Sequence, residues 1–108
     1  MAAGYRLAVR EYNKLLSVIK KNMPKPEKML ELYQFEECPY CARARTKLTD
    51  MGMSYIIHNV SRDKSQRQEL AKITGGPVGV PTLVDPNTGT VTADDDDKII
   101  EYLEAHYR

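Results

Sequence analysis

Residues 29–60 read MLELYQFEECPYCARARTKLTDMGMSYIIHNV. Residues 29–35 have the apolar content of a buried strand, residues 39–51 carry apolar side chains at helical spacing, and residues 53–60 predict a second strand. A strand, a helix and a strand in this order predict a βαβ unit, with parallel neighbouring strands and a right-handed crossover. The side chains expected to face inward on the helix are Cys41, Ala44, Leu48 and Met51.

The remainder of the chain continues this alternation. Residues 63–74 predict a second helix, residues 81–85 and a strand through Ala93 predict a hairpin, and residues 95–107 predict a last helix. The order β-α-β-α-β-β-α indicates an α/β protein with a central sheet and helices on both faces. The apolar face expected on the last helix consists of Ile99, Ile100, Leu103 and Tyr107.

Residues 1–28 differ in character from residues 29–108. They contain seven Lys or Arg and two Glu, a net charge of +5, so the rest of this chain of net charge +1 carries −4. Their apolar residues fall at helical spacing and predict an N-terminal amphipathic helix and linker, which we expect to pack on its own domain rather than on a membrane or another protein. The apolar stripe is Tyr5, Ala8, Val9, Tyr12, Leu15, Leu16 and Ile19, and the cations largely off it are Arg6, Arg10, Lys14 and Lys20.

The composition excludes several classes of protein. A chain of 108 residues is long enough for one hydrophobic core. A net charge of +1 does not indicate a surface that binds nucleic acid. No apolar run approaches the roughly 20 residues that span a bilayer, and no secretory signal opens the sequence. We therefore expect a cytoplasmic protein without a membrane span or a nucleic-acid partner.

The two cysteines, Cys38 and Cys41, are three positions apart. A disulfide between them would restrain almost none of the chain, so a chemical role is favoured over a structural one. Together with His58 and His106 they could supply four zinc ligands, but the histidines lack the paired spacing of a zinc finger. We expect redox chemistry and no metal.

Cys38 lies where the first strand ends and the first helix begins. Unpaired amides and the positive dipole end of a helix favour a thiolate over a thiol at such a position, so Cys38 is the predicted nucleophile. Cys41, one turn later, is the predicted resolving thiol, because it can attack a mixed disulfide formed at Cys38. Glu36 and Glu37 oppose the thiolate electrostatically. The cations on the same helix are Arg43, Arg45 and Lys47.

The tetrapeptide Cys38-Pro39-Tyr40-Cys41 resembles the dithiol signature of the glutaredoxins. The resemblance covers roughly residues 29–107 and implies a thioredoxin-like fold, with a four-stranded mixed sheet and helices on both faces, to which the N-terminal helix would be an addition. The further motifs that carry it are Leu32-Tyr33, Thr74-Gly75, Val80-Pro81 and Ile99-Ile100-Glu101-Tyr102-Leu103. The second half also resembles the N-terminal domains of glutathione transferases.

The glutaredoxin resemblance assigns substrate-binding residues. It implies a cis peptide bond before Pro81, which places the Val80 backbone beside the cysteines to pair with a glutathione or protein disulfide. It also implies that Asp96 and Asp97, at the start of the last helix, lie at the γ-glutamyl end of glutathione, with Asp97 pairing with the ammonium. Tyr40, between the cysteines, completes the predicted substrate-binding set.

The sequence departs from the family pattern at three positions. The lysine that meets the glycyl carboxylate of glutathione in the family is Phe35 here, and Asp96 replaces a small neutral residue. Gly79 replaces the usual threonine before Val80-Pro81. These changes predict weakened glutathione binding with the dithiol chemistry intact.

The resemblance implies an enzyme, a glutathione-dependent thiol-disulfide oxidoreductase. Glutathione is its expected reductant and co-substrate, disulfide-containing or glutathionylated proteins are its expected partners, and a monomer is its expected state. One alternative is a glutathione transferase-like N-terminal domain, although transferases need a helical second domain. Another is a carrier of a [2Fe-2S] cluster held by two Cys38 thiolates and two glutathiones, against which Pro39 and the resolving Cys41 argue.

Overall fold

The computed structural model describes residues 26–107 of the chain. Its four strands are β1 (Leu30–Gln34), β2 (Tyr55–Asn59), β3 (Thr82–Asp85) and β4 (Thr90–Thr92). Its helices are α1 (Pro39–Asp50), α2 (Gln68–Thr74), α3 (Asp96–Tyr107) and a single 3₁₀ turn at Lys64–Gln66. The amphipathic helix predicted within residues 1–28 lies outside the described residues, apart from its last three positions. Within the described part, no helix combines the length and the apolarity needed to cross a membrane.

The strands form one mixed sheet in the order β2-β1-β3-β4. Strand β1 pairs in parallel with β2, and β3 is antiparallel to both β1 and β4. The predicted βαβ unit and the predicted hairpin are therefore both confirmed. Because β1 is an inner strand of the sheet, the segment that follows it begins near the centre of one edge, where the strands end.

The larger hydrophobic cluster lies between one face of the sheet and the helices α1 and α3. Its members are buried and pack side chain against side chain, which contributes roughly 1.5–3 kcal/mol for each large aliphatic residue. The cluster consists of Leu30, Leu32, Ala44, Leu48, Leu83, Ile99, Leu103 and Tyr107. The predicted inward face of α1 is confirmed, with Cys41 also buried and Met51 packed at the margin.

The opposite face of the sheet carries a smaller cluster under α2. Leu70 of α2 packs with Tyr33 of β1, and both belong to a group that includes Cys38, Cys41 and Val80. The short helix thus links the sheet to the segment in which the two cysteines lie.

The helix predicted over residues 63–74 is divided in two. Asp63 caps the 3₁₀ turn by accepting the Ser65 N–H at 3.0 Å, and Arg67, at φ −100° and ψ 46°, separates that turn from α2. The Arg67 side chain turns inward, where Nε donates to the Ser61 carbonyl at 2.7 Å. This inward hydrogen bonding accounts for a break that helical spacing alone did not predict.

A buried carboxylate fixes the C-terminal end of α3. Asp85 Oδ2 accepts hydrogen bonds from Tyr102 Oη at 2.6 Å and Tyr107 Oη at 2.5 Å, and Asp85 Oδ1 accepts from the Asn87 N–H at 2.9 Å. Burial acts to raise the pKa of Asp85, but these hydrogen bonds outweigh it and hold that pKa below its ordinary value. The last helix is therefore attached to β3 through an ionised group.

Candidate active site

Cys38 is the N-cap residue of α1. Its backbone is extended, at φ −72° and ψ 117°, and its Sγ accepts the Cys41 N–H at 3.3 Å. Pro39 occupies the first helical position, where the missing N–H of proline costs nothing. Negative charge on Cys38 Sγ is thus stabilised both by a hydrogen bond and by the helix N-terminus.

Cys41 lies one turn deeper in the same helix. Its side chain is fully buried, whereas Cys38 retains 5% of its surface. Burial, reinforced by the neighbouring Cys38 thiol, raises the pKa of Cys41 to about 12. Cys41 is therefore a thiol near neutral pH and has to lose its proton before it can attack a disulfide.

The segment before β3 completes the wall beside the cysteines. The Val80–Pro81 peptide bond is cis, as predicted, and Val80 lies in the same cluster as Cys38 and Cys41. The predicted catalytic pair and the predicted backbone partner are thus brought together, whereas Tyr40, 60% exposed, points into solvent at the rim.

Arg67 is the residue of this region that sequence reasoning missed. Its Nη1 donates to the Val78 carbonyl at 2.8 Å, and its guanidinium lies 5.6 Å from the centre of the Phe35 ring. Phe35 itself packs against the cysteine cluster. The available signal was spacing, because a charged residue three positions before Leu70 falls on the same side as that leucine in the helix predicted over residues 63–74.

The acidic residues that precede Cys38 both have arginine partners. Glu36 lies 3.6 Å from Arg45, and Glu37 pairs with Arg62. A backbone hydrogen bond and then the Arg62 guanidinium lower the pKa of Glu37. Their opposition to a thiolate at Cys38 is correspondingly reduced.

Asp96 and Asp97 begin α3 and face Arg43 of α1. Arg43 Nη1 lies 2.8 Å from Asp97 Oδ1 and also contacts Asp96. The Asp97 side chain stays 71% exposed and that of Asp96 only 14%. Asp97 is therefore free to accept a further donor, whereas Asp96 is largely occupied by the arginine.

Two groups of side chains bear on metal binding. The carboxylates of Asp95, Asp96 and Asp97 lie within 4.8 Å of one another, but the Arg43 guanidinium already lies against two of them. The histidines considered as zinc ligands are engaged away from the cysteines. His58 Nε2 lies 2.6 Å from Glu31 and His106 Nδ1 lies 3.0 Å from the Tyr102 carbonyl.

Comparison with known proteins identifies the family. The family model named Glutaredoxin matches residues 30–87, which is more than half of the 108-residue chain. The chain belongs to the glutaredoxin family. Glutaredoxin 3 of Escherichia coli K12 is 35% identical to it over 46 residues, which are 43% of this chain and 55% of that protein. This glutaredoxin spans about half the length of the curated relatives it matches, from 50% to 55%.

Solved structures confirm the thioredoxin-like α/β fold of this glutaredoxin. A glutathione transferase of Bombyx mori superimposes with a TM-score of 0.68 at 17% identity, over 78% of this chain and 38% of that one. A glutathione transferase homologue from Drosophila mojavensis with bound glutathione gives a TM-score of 0.64 at 22% identity, over 73% and 35% of the two chains. At these identities the likeness concerns the fold.

The glycine before Val80 has a structural reason in this glutaredoxin. A Cβ on Gly79 would overlap the carboxylate of Asp94, which comes from the segment between β4 and α3. Asp94 has a left-handed backbone, with φ +54°, and its N–H donates to Thr82 Oγ1 at 3.4 Å. Thr82 Oγ1 in turn donates to the Gly79 carbonyl at 2.9 Å. Gly79 and Asp94 therefore share one space, and a side chain at residue 79 would displace the carboxylate.

Proposed function

We propose that this glutaredoxin is a dithiol thiol-disulfide oxidoreductase that reduces glutathione mixed disulfides and protein disulfides. One observation carries the proposal: Cys38 Sγ caps α1 and accepts the Cys41 N–H at 3.3 Å, while the fully buried Cys41 lies one turn below it. This arrangement supports Cys38 as the attacking thiol and Cys41 as the resolving thiol.

With a glutathionylated protein, the Cys38 thiolate attacks the sulfur of the glutathionyl group. The new disulfide joins Cys38 to glutathione, and the protein leaves as a thiolate that takes a proton from solvent. A second glutathione thiolate then attacks the glutathionyl sulfur, forming glutathione disulfide and restoring the Cys38 thiolate. This cycle requires no other cysteine.

With a protein disulfide, the Cys38 thiolate attacks one sulfur and releases the other as a thiolate. Cys41 then loses its proton and attacks Cys38 Sγ, so that the Cys38–Cys41 disulfide forms and the second substrate thiolate departs. Two glutathione molecules return the pair to the dithiol and leave as glutathione disulfide. Burial, the largest cause of the raised pKa of Cys41, persists in the mixed disulfide and opposes this deprotonation at neutral pH.

The substrate backbone is proposed to pair with the Val80 backbone beside the cysteines, and the glutathione ammonium with Asp97. Support comes from the family, from the exposed Asp97 carboxylate and from the glutathione bound to a structural relative of the same fold. The glycyl carboxylate of glutathione has no lysine to pair with at position 35, because that residue is Phe35. We propose that the guanidinium of Arg67, which stacks on that ring, supplies part of the missing positive charge.

The test compares two single variants in two assays. Cys38→Ser is expected to abolish the reduction of both a glutathionylated peptide and a protein disulfide. Cys41→Ser is expected to retain reduction of the glutathionylated peptide, because external glutathione resolves the intermediate, and to lose reduction of the protein disulfide. More than trace activity in Cys38→Ser, or equal losses for Cys41→Ser in the two assays, would contradict the proposal.

The transferase alternative predicts a different reaction. A transferase adds the glutathione thiolate to an electrophile, which needs no cysteine pair, and its likeness to this chain is carried by fold alone. Conjugation of glutathione to chlorodinitrobenzene at an equal rate in the parent and in Cys38→Ser, with no disulfide reduction by either, would favour that alternative. We expect disulfide reduction without conjugation.

A further inference from the structure

The sheet face under α2 carries a row of residues that crosses all four strands and is apolar on three of them. The strand pairing places Ile56 of β2 beside Glu31 of β1, Glu31 beside Val84 of β3, and Val84 beside Val91 of β4. Residues paired in register lie on the same face. Ile56 and Val91 are 43% and 37% exposed, and Met29, two positions before Glu31, is 53% exposed.

Within residues 26–107, α2 is the helix that packs on this face, and it reaches a different row. Leu70 packs on Tyr33, which pairs with His58 and Thr82, one row nearer to the cysteines. By contrast, both α1 and α3 cover the other face. Val84 packs partly against the cluster that contains Leu70, whereas Ile56 and Val91 at the two ends of the row keep much of their surface exposed. These two ends are thus left for a further element.

The dimensions of the row suit a helix. Four strands spaced by about 4.8 Å place Ile56 and Val91 roughly 14 Å apart. A helix over residues 5–19 would be about 22 Å long, and helices with their side chains are about 10 Å wide. The stripe of that segment therefore has the length to cover the whole row.

Connectivity and charge point to the same occupant. Lys28 is held at the start of β1, where its N–H donates to Asn87 Oδ1 at 2.8 Å, so the preceding chain emerges at the end of the sheet that carries the row. Residues 20–28 span up to about 30 Å when extended, which allows the chain to turn back through Pro24 and Pro26. Residues 1–28 carry a net charge of +5 against −4 for the rest. The Glu31 carboxylate in the row lies 2.6 Å from His58 Nε2 and stays 29% exposed.

We propose that residues 5–19 form an amphipathic helix whose apolar stripe docks across Ile56, Glu31, Val84 and Val91. The helix completes the second layer of the fold beside α2. This docking is independent of the disulfide chemistry, since the row lies at the end of β1 opposite to Cys38.

The test is disulfide crosslinking within the full chain, in a background in which Cys38 and Cys41 are replaced by serine. A cysteine is placed in the stripe by Val9→Cys or by Leu16→Cys and is combined with Val91→Cys on the row. Mild oxidation is expected to give an intramolecular disulfide with at least one of the two, resolved by mass spectrometry as a crosslinked monomer. Thr92→Cys, one residue along β4 on the other face, is the matched control and is expected to crosslink with neither.

Three outcomes would overturn the proposal. Absence of any crosslink to Val91→Cys places the segment elsewhere. Equal crosslinking to Val91→Cys and Thr92→Cys shows that it is not docked on one face. A covalent dimer joined through two Val91→Cys residues shows that a second copy of the chain covers the row.

A stability measurement provides a second readout on the full chain. Leu16→Asp places a charge in the stripe, whereas Ser17→Asp places the same charge off it. We expect Leu16→Asp to lower the thermal midpoint by at least about 4 °C relative to Ser17→Asp, the shift that about 1 kcal/mol produces in a domain of this size. Equal midpoints for the two variants would contradict docking.

Discussion

At the scale of single residues, the two thiols of this glutaredoxin differ in their burial and in their position in α1. Cys38 retains a little exposed surface at the N-cap, and Cys41 is fully buried with its pKa raised to about 12. The helix N-terminus therefore acts on the accessible sulfur, while burial keeps the second one protonated. Arg67 and Gly79 shape the wall opposite these sulfurs.

Arg67 is expected to be a positioning residue for the Val80 segment. It joins the Ser61 carbonyl at 2.7 Å to the Val78 carbonyl at 2.8 Å, and a lysine cannot reproduce both bonds. We expect Arg67→Lys to lower the free energy of unfolding by about 1.5–3 kcal/mol for each of these bonds that is lost, the contribution of a hydrogen bond from a charged group. Urea denaturation measures this cost.

The matched control for this prediction is Arg62→Lys, whose solvent-exposed pair with Glu37 contributes little to stability. The positioning role adds a kinetic readout. Under conditions in which Arg67→Lys remains folded, kcat/KM for a glutathionylated peptide is expected to fall about tenfold or more, and for Arg62→Lys less than threefold. Equal stability and equal kinetics for the two variants would contradict a positioning role for Arg67.

The shared space of Gly79 and Asp94 predicts a coupled pair of substitutions. Gly79→Ala is expected to destabilise by about 1–3 kcal/mol, because its Cβ overlaps the Asp94 carboxylate. Asp94→Gly is expected to have a small effect alone, since glycine accepts the left-handed backbone at φ +54°. The double variant should recover at least about 1 kcal/mol of the Gly79→Ala loss in urea denaturation. Strict additivity of the two single effects would show that the residues do not interact.

At the scale of elements, α3 is held at both of its ends. Its first turn meets α1 through Arg43 and Asp97, at 2.8 Å, and its last turns meet β3 through the two tyrosines on Asp85. The exposed ion pair is screened by solvent and contributes little, so the buried carboxylate dominates the attachment. The position of Asp97 beside Arg43 therefore depends on contacts at the far end of its own helix.

Tyr107→Phe is expected to reveal this attachment through its dependence on pH. The pKa of Asp85 is held below its ordinary value, so the stabilisation is present above about pH 4 and is lost as the pH falls through the native pKa. We expect the variant to lose about 1–3 kcal/mol near pH 7 and progressively less below about pH 4. Urea denaturation across this range measures the difference.

The control for this prediction is Tyr40→Phe, which removes an exposed hydroxyl and is expected to change stability by less than about 0.5 kcal/mol at either pH. A loss for Tyr107→Phe that is the same at neutral and at acid pH would show that the ionised carboxylate is not its cause.

At the scale of the whole molecule, local signals in the sequence predicted the fold and the centre of the site. The spacing of apolar residues and the Pro39 and Gly52 boundaries defined α1, and with α1 the positions of both cysteines. The cis bond before Pro81 followed from the family resemblance and is confirmed. The roles of Cys38 and Cys41, like that of Asp97, stay predictions.

The features that the sequence did not predict depend on contacts between distant segments. Arg67 takes its role from carbonyls in two loops, and the Gly79 position is set by Asp94, which comes from beyond β4. The buried Asp85 is likewise explained by tyrosines 17 and 22 positions later. Spacing rules detect neighbours within one helix or strand. Contacts between residues of different segments can therefore be recognised only in the assembled fold.

The mass of the intact chain after exposure to glutathione disulfide distinguishes the nucleophile from the resolving thiol. In Cys41→Ser we expect a single glutathionyl group on Cys38, which added glutathione removes. In the parent we expect no stable adduct and instead the loss of two hydrogens, as Cys41 expels glutathione and forms the Cys38–Cys41 disulfide. A stable glutathionyl adduct on the parent, or an adduct at Cys41 in Cys38→Ser that forms as fast, would contradict the assignment of nucleophile and resolving thiol.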